Sequence, residues 1–355
     1  VQLFGALPNE PNPYVYIFSY QTEVEPVKDL VVKVGYQGSR SRKLMRTIDM
    51  NRFTPGDTFD GSQDKIQHTG SNGQPCGPTN PTCTAVHMTG NPRFNNLYFP
   101  LPDVNASYDA LVASVSRRFN HGFQVDANYT WSHAIDTASY EIGYQQTDPS
   151  NPLIDKGNSD FDVRNSFVMD AVWEMPLFRG RHDLVETALG GWTISGIVSK
   201  HSGYPFPAVI GSCNTNADRN GDGYCPDMPF AYNGGVIAHP TKQQWVNGVF
   251  PNPKAEFDTT TLGPGCRCRN MFTGPGYTSV DLTLGKDFVL PKMAFFGEGS
   301  MLAIRANLFN AFNILNFTPL LPATAPTDII NTGSFGRPSD GLAGRVIELQ
   351  ARFSF

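Results

Sequence analysis

The stretch FQVDANYTWS, residues 123–132, alternates apolar and polar side chains without a slip. Phe123, Val125, Ala127, Tyr129 and Trp131 fall on one side, and Gln124, Asp126, Asn128, Thr130 and Ser132 on the other. A period of two belongs to a β-strand and sends the two sets to opposite faces of a sheet. Runs of the same kind recur at 14–24, 30–36, 108–119, 161–174, 192–200, 277–288, 301–310 and 345–355, which makes about nine strands. No segment of helical length and period 3.6 separates them, so the chain is expected to be all-β.

The intervals between these runs are sorted by length. Residues 25–29 and 120–122 are short, 175–190 intermediate and 289–299 shortish, whereas 38–107, 133–160, 203–276 and 311–343 are long. Along an up-and-down meander this puts every long connection at one end. A soluble sandwich has no reason for such sorting, while a membrane barrel has short turns on one side and long loops on the other. Aromatic residues sort as well. Phe119, Phe123, Phe288, Phe353 and Phe355 fall near the short turns, and Tyr36, Tyr129, Trp131, Phe161 and Tyr277 near the long loops. Two aromatic rows separated by smaller aliphatic residues match the interfacial girdles of a barrel in a bilayer. The expected fold is an antiparallel up-and-down transmembrane β-barrel with long external loops.

Charge fits that fold. The net charge of −5 argues against a nucleic-acid partner, which would need a basic face. No run of about 18 apolar residues offers a membrane helix, but a spanning strand needs only about 9–11 residues. The polar faces become the lumen. There Arg118, Asp126, Arg164, Asp170, Asp281, Arg305, Glu348 and Arg352 are candidates to meet a ligand, against the plainer reading of a solvated or paired wall. Nine strands cannot close alone, because bacterial single-chain barrels have even numbers. The first residues, VQLFGALPNEPNPY, carry no signal peptide. An N-terminal part is therefore expected to lie outside residues 1–355.

Six cysteines, Cys76, Cys83, Cys213, Cys225, Cys266 and Cys268, all fall in loop sequence. Their even number suggests disulfides formed in an oxidising compartment, with free or metal-bound thiols as the alternative. Nearest-neighbour pairing joins 76 to 83, 213 to 225 and 266 to 268, although a bridge between i and i+2 is expected to be strained. In the longest loop, Asp218, Asn220 and Asp222 precede Gly223, with Asp227 beyond. That spacing offers oxygen ligands for a structural Ca²⁺, or else an Asx-rich turn. No nucleophile elbow, phosphate-binding glycine loop or paired-histidine zinc motif occurs, and no other cofactor is expected.

Several stretches resemble the C-terminal part of TonB-dependent outer-membrane receptors, in particular their Oar-like group. They are VGYQGSRSRKL (34–44), YDALVASVSRRFNHGFQVDANYTWSHAID (108–136), SDFDVRNSFVMDAVWEMPLF (159–178), GGWTISGIVSKHSGYPF (190–206), GPGYTSVDLTLGKDF (274–288), IRANLFNAFNILNF (304–317) and LQARFSF (349–355). The terminal Phe355 resembles the family's aromatic C-terminal signal. The resemblance implies a 22-stranded barrel in the bacterial outer membrane, of which residues 1–355 supply the C-terminal strands. It implies a plug and an energising TonB-type partner reached through the N-terminal part. The expected function is a non-enzymatic receptor and transporter, set in outer-membrane lipid, that takes an unnamed ligand through its loops. The alternatives are an adhesion or structural protein anchored by the barrel, an outer-membrane hydrolase, and a soluble sandwich.

Overall fold

A computed structural model describes residues 2–6, 10–49, 96–139, 152–178, 184–210, 228–235, 239–260, 266, 268–290, 300–320, 329–330 and 332–355. Nine long strands run in chain order: β1 (Tyr14–Val27), β2 (Leu30–Asp49), β3 (Asn96–Asn120), β4 (Phe123–Asp136) and β5 (Asn165–Glu174), then β6 (Trp192–His201), β7 (Tyr277–Val289), β8 (Met301–Phe309) and β9 (Val346–Ser354). Each pairs antiparallel with the next, so the sheet is a plain meander whose spatial order is its sequence order. A short strand, Gln2–Phe4, adds parallel to Asn96–Tyr98. The sheet is not closed: β1 and β9 are its edges.

The tight turns explain the hairpins. Between β3 and β4 only His121 and Gly122 remain unpaired, with φ of 53° and 77°. Two successive positive φ values match the right-handed twist of the flanking strands, and glycine takes the second without strain. Asp29 makes the β1–β2 turn at φ 69°, and its carboxylate accepts from the Asn120 amide at 2.9 Å, tying the two turns together.

Strand register carries the alternation across the sheet. Val34 lies opposite Ala113, Ala113 opposite Tyr129, and Tyr129 opposite Phe167. One row higher, Tyr20, Tyr36, Leu111 and Trp131 follow one another from β1 to β4. Near the short turns Phe123 meets Trp173, and Leu302 meets both Phe288 and Phe353. Phe123 and Trp131 are eight residues apart, roughly 27 Å along the strand at about 3.4 Å per residue. Tilt shortens that span to about the height of a barrel's apolar band. Above the upper row the same face turns polar, where Asp109 pairs with Arg40 at 2.9 Å and accepts from the Tyr36 hydroxyl.

Three expectations need correction. β2 and β3 run far beyond the alternating segments, to Asp49 and from Asn96. Their extensions lie past the apolar band, so alternation no longer marks them, and the bidentate Arg46–Asp103 pair with both contacts at 2.7 Å braces them. β5 begins at Asn165, not Phe161. Asp162 instead accepts from the Ala134 amide at 2.6 Å and its own amide donates to the Ser159 carbonyl, which turns the chain out of the ladder at Phe161, while the Arg164 carbonyl still accepts from the Ser132 amide at 3.0 Å. Tyr277 is opposite His201 and stacks on it at 5.3 Å, on the polar face and outside the aromatic row. The all-β expectation holds among the described residues, with short helices only in the connections: α1 (Leu184–Leu189), α2 (Lys242–Asn247) and α3 (Pro253–Glu256). Four to six residues are too few to show a 3.6 period, and all three lie in connections. None is long and apolar enough to cross a membrane.

α1 explains an otherwise misplaced charge. Lys286 stands on the apolar face, opposite Trp192 and Ile304, yet is almost fully buried. Its ammonium donates to the carbonyls of Thr187 and Gly190 at 2.5 Å each, at the C-terminal end of α1, and lies over the Phe288 ring at 4.8 Å. Cations are favoured at helix C-termini, so the intermediate-length turn neutralises the one lysine in that row.

The two faces make opposite demands on substitution. Ala127→Arg, mid-band on the apolar face, should cost about 2–4 kcal/mol of folding stability in lipid vesicles. The neighbouring Asn128→Arg, on the polar face, should cost less than about 1 kcal/mol. Urea titration of the vesicle-inserted protein distinguishes them, and equal costs would contradict the assignment of faces.

Candidate functional site

The largest apolar core lies among the long connections, away from the sheet. Phe206, Ala208, Ile210, Trp245, Val249, Phe250, Phe257 and Phe272 come from the β6–β7 connection, and Leu320, Ile330 and Phe335 from the β8–β9 connection. Phe250 is central: its ring lies 4.6 Å from Phe335, 4.9 Å from Phe272 and 5.3 Å from Phe257. The two connections also share backbone bonds, Ile330 donating to Val209 and Val249 to Gly336. Gly336 has φ 67°, and a Cβ there would meet the Phe250 ring at 2.6 Å, so only glycine fits. Thr241 caps α2 with a reciprocal capping box through Gln244, which fixes the helix that carries Trp245 inward.

This head is joined to the sheet by continuation of one hairpin. Tyr277 pairs with His201, and four residues further along both strands Thr273 pairs with Pro205 and Phe272 with Phe206. Between them the strands pinch, since a Cβ on Gly203 would stand 1.9 Å from the Gly274 carbonyl oxygen. The β6–β7 ladder therefore passes into the head in unbroken register.

A second attachment is polar and buried. Arg269 is 4 % exposed and Asn270 0 %. Arg269 donates to the Asp136 carboxylate at 2.6 Å, to the Ser139 hydroxyl at 2.7 Å and to Asp160 at 3.4 Å. Asn270 donates to Asp160 and to the Asn158 carbonyl, and Asn158 donates back to the Asn270 carbonyl at 2.9 Å. Gly157 and Asn158 extend the sheet against Ile135 and Asp136 at the end of β4. The clamp thus ties the β4–β5 connection, the end of β4 and the head together. Burial pushes the Asp160 carboxyl above its ordinary value, against the opposing pull of Arg269. Among the described residues, no three His, Cys, Asp or Glu side chains converge as a metal site would require.

Along the sheet, the polar face presents Asp126 directly opposite Asp170. Like charges opposed across a ladder destabilise it unless cations or water intervene. Asp281 is engaged locally, accepting from the Ser279 hydroxyl at 3.0 Å and the Asn310 amide at 2.7 Å. Arg305, on β8, and Glu348 and Arg352, on β9, share that face by register, beyond the Thr283–Asn307 hydrogen bond.

A family model described as outer membrane beta barrel domain matches residues 1–348. The chain belongs to that family. It is accordingly a protein of the bacterial outer membrane. No match is found among curated proteins. Among solved structures, the chain is similar to Pseudomonas aeruginosa FpvA bound to a heterologous pyoverdine with iron, at 13 % identity and TM-score 0.39, covering 96 % of this chain and 26 % of that one. It is similar to the outer membrane transporter YddB from Escherichia coli, at 8 % identity and TM-score 0.43, covering 98 % and 33 %. It is also similar to the FpvAI–pyocin S2 complex, at 12 % identity and TM-score 0.40, covering 96 % and 27 %. The chain spans about a quarter to a third of those chains' length.

Membership in an outer membrane barrel family gives the faces their surroundings. The apolar rows with their aromatic borders face lipid, and the polar face is lumenal. Of the candidate lumen residues, Asp126, Asp170, Asp281, Arg305, Glu348 and Arg352 lie on that face, and Arg118 follows it by alternation beside the bulge that precedes Asn120. They do not converge on one point. Arg164 immediately precedes β5, with its guanidinium paired to Asp162 at 3.3 Å. Cys266 and Cys268 lie at disulfide distance, with Cα atoms 5.2 Å apart. Cys76, Cys83, Cys213, Cys225 and the Asp218, Asn220, Asp222 and Asp227 constellation lie outside the described residues. Sequence reasoning missed Arg269 and Asn270, whose partners are more than 100 positions away. It also missed the head core, although Trp245, Phe250, Phe257 and Phe272 make that connection unusually aromatic.

The clamp is open to two tests. Arg269→Ala leaves Asp136 and Asp160 buried without their cation and should cost the head about 3–5 kcal/mol. Limited proteolysis should then cut within 133–164 while the barrel's heat-modifiable migration persists. Asp160 titrates with the opposite sign to an ordinary paired carboxylate. Its folded-state pKa is raised, so the contribution of Asp160 is complete below its unfolded value of 3.8 and is lost as pH rises through the folded value. Hydrogen exchange at 158–160, corrected for intrinsic rates, should show stronger protection at mildly acidic pH than at neutrality, and Asp160→Asn should flatten the dependence.

Proposed function

We propose that the chain is the wall and ligand-capturing head of an outer-membrane receptor of the TonB-dependent type, in the Oar-like group. One observation carries this reading: two long external connections fold into a single head with its own aromatic core, held above the end of a charged lumenal face. A barrel that served only as an anchor would not need to order its loops against one another or to keep carboxylates and guanidiniums along its inner wall. The family match and the stretches that resemble TonB-dependent receptors support the same reading.

In this mechanism the head binds a scarce nutrient from outside and holds it over the lumen. The inner wall presents Asp126, Asp170 and Asp281 on β4, β5 and β7, Arg305 on β8, and both Glu348 and Arg352 on β9, so a charged ligand meets changing partners on its way through. Further strands of the protein pair with the edges of β1 and β9, and a plug fills the closed barrel. A TonB-type partner supplies the energy that moves the plug.

Cells carrying the full-length protein should take up at least one member of a panel of ferric chelates, peptides and glycans. Uptake should cease on gene deletion and on collapse of the protonmotive force. Phe250→Ala, which opens the head core at a cost of about 3–5 kcal/mol, should weaken capture tenfold or more without removing the barrel from the membrane. Unchanged uptake together with lost cell contact in that variant would replace this reading with the adhesion one.

A further inference from the structure

A groove of about 890 Å³ opens where the head overhangs the wall. Its inner side is formed by Tyr129, Asn165, Phe167 and Lys200. These belong to the lipid-facing set, because Phe167 lies opposite both Tyr129 and Lys200, and the Tyr129 hydroxyl donates to Asn165 at 2.7 Å. The other side comes from the head, with Trp245 and Met271 giving apolar surface and His239 a polar edge. These four put the wall side of the groove on the outer face, at the height of the upper aromatic row, while His201, of the opposite parity, lines it at the rim. That is the level of lipid headgroups in the external leaflet.

Its electrostatics run against the chain's own. The whole sequence carries a net charge of −5, yet the described lining contains Arg164, Lys200, His201 and His239 and no Asp or Glu. Arg164 shares its guanidinium with Asp162, and among the described residues Lys200 has no ion-pair partner. A lysine kept in a membrane-facing row without a counter-ion calls for an anion from the membrane itself. Lysine binds phosphate as a point charge, and Tyr129, Phe167, Trp245 and Met271 offer the apolar surface that an acyl chain below a phosphate would cover. The size suits an amphiphile, since ligand sites commonly enclose about 300–1,000 Å³.

We propose that this groove binds a phosphorylated lipid of the external leaflet, with Lys200 and Arg164 on the phosphate and the Tyr129–Phe167–Met271 surface on the chain. The bound lipid would fill the space between head and wall, seating the head on the membrane. The proposal rests on the orientation of the barrel and not on transport, so its failure would leave the receptor reading untouched.

The test uses the full-length protein purified in dodecyl maltoside. It is titrated with bisphosphorylated lipid A, with the same lipid stripped of phosphate, and with inorganic phosphate alone. Saturable binding of the first, at least tenfold weaker binding of the second and no displacement by equimolar inorganic phosphate are expected. Lys200→Glu should weaken lipid binding tenfold or more, Lys200→Arg should retain it, and Lys254→Glu, an exposed cation of the head outside the groove, should leave it unchanged. Far-UV circular dichroism and heat-modifiable migration report whether each variant is folded. Equal binding of both lipids, full displacement by inorganic phosphate, or wild-type binding by a folded Lys200→Glu would each overturn the proposal.

Discussion

Within a bilayer every backbone N–H and C=O needs a partner supplied by the protein, and the rest of this structure follows from that requirement. It is met by the simplest ladder available, a meander in which each strand pairs with its sequence neighbours. Once the ladder is fixed, side chains have only two directions, and the surroundings sort them. Lipid selects the Val34–Ala113–Tyr129–Phe167 surface and water the opposite one. The exceptions are answered locally. Lys286 falls in an apolar row, and the turn that precedes β6 folds a helix end over it.

The same requirement explains why the core lies in the head. A barrel wall needs no apolar interior, since lipid covers its outside and water or a plug its inside. Residues beyond the membrane regain the ordinary hydrophobic drive, and there the chain gathers a cluster of phenylalanines with Trp245. The wall is thus held mainly by backbone hydrogen bonds and the head by aromatic packing, so the two should respond differently to the same perturbation. Arg269 and its carboxylates belong to the second category by location but not by chemistry: a buried charge network fixes geometry more than it adds stability.

Most of the wall was legible in the sequence because a period of two survives wherever one face meets lipid and the other water. The nine strands and the sorting of long connections to one end follow from that signal alone. Legibility ends where the asymmetry ends. β2 and β3 continue past the apolar band, where lipid no longer sets one face and Arg46, Ile48 and Val104 are buried within the protein, so no apolar–polar alternation marks residues up to Asp49 or from Asn96. Residues 161–164 alternate like a strand but lose to a competing acceptor, the Asp162 carboxylate, which captures the Ala134 amide. The lumenal acids and bases could be assigned to a face, because that needs only parity. The Arg269 clamp could not be read, because its contacts join residues 109–133 positions apart that no local period relates.

The two attachments between head and wall differ in kind, and the difference bears on how binding in one could reach the other. The β6–β7 ladder passes from His201–Tyr277 to Phe206–Phe272 without a change of register, so any tilt of the head is passed directly to those two strands. At Gly203 and Gly274 the two backbones approach so closely that no side chain would fit between them. The clamp reaches β4 through hydrogen bonds among Asp136, Asp160, Arg269 and Asn270, which hold only while their geometry is kept. A displacement of the head would therefore pull on β6–β7 and load the clamp on β4. The strands between those two points are β5 and its neighbours, with Asp170 facing Asp126 across the lumenal ladder. Their opposed carboxylates repel across that ladder, so the spacing of β4 and β5 at this row depends on the water or cations that lie between them.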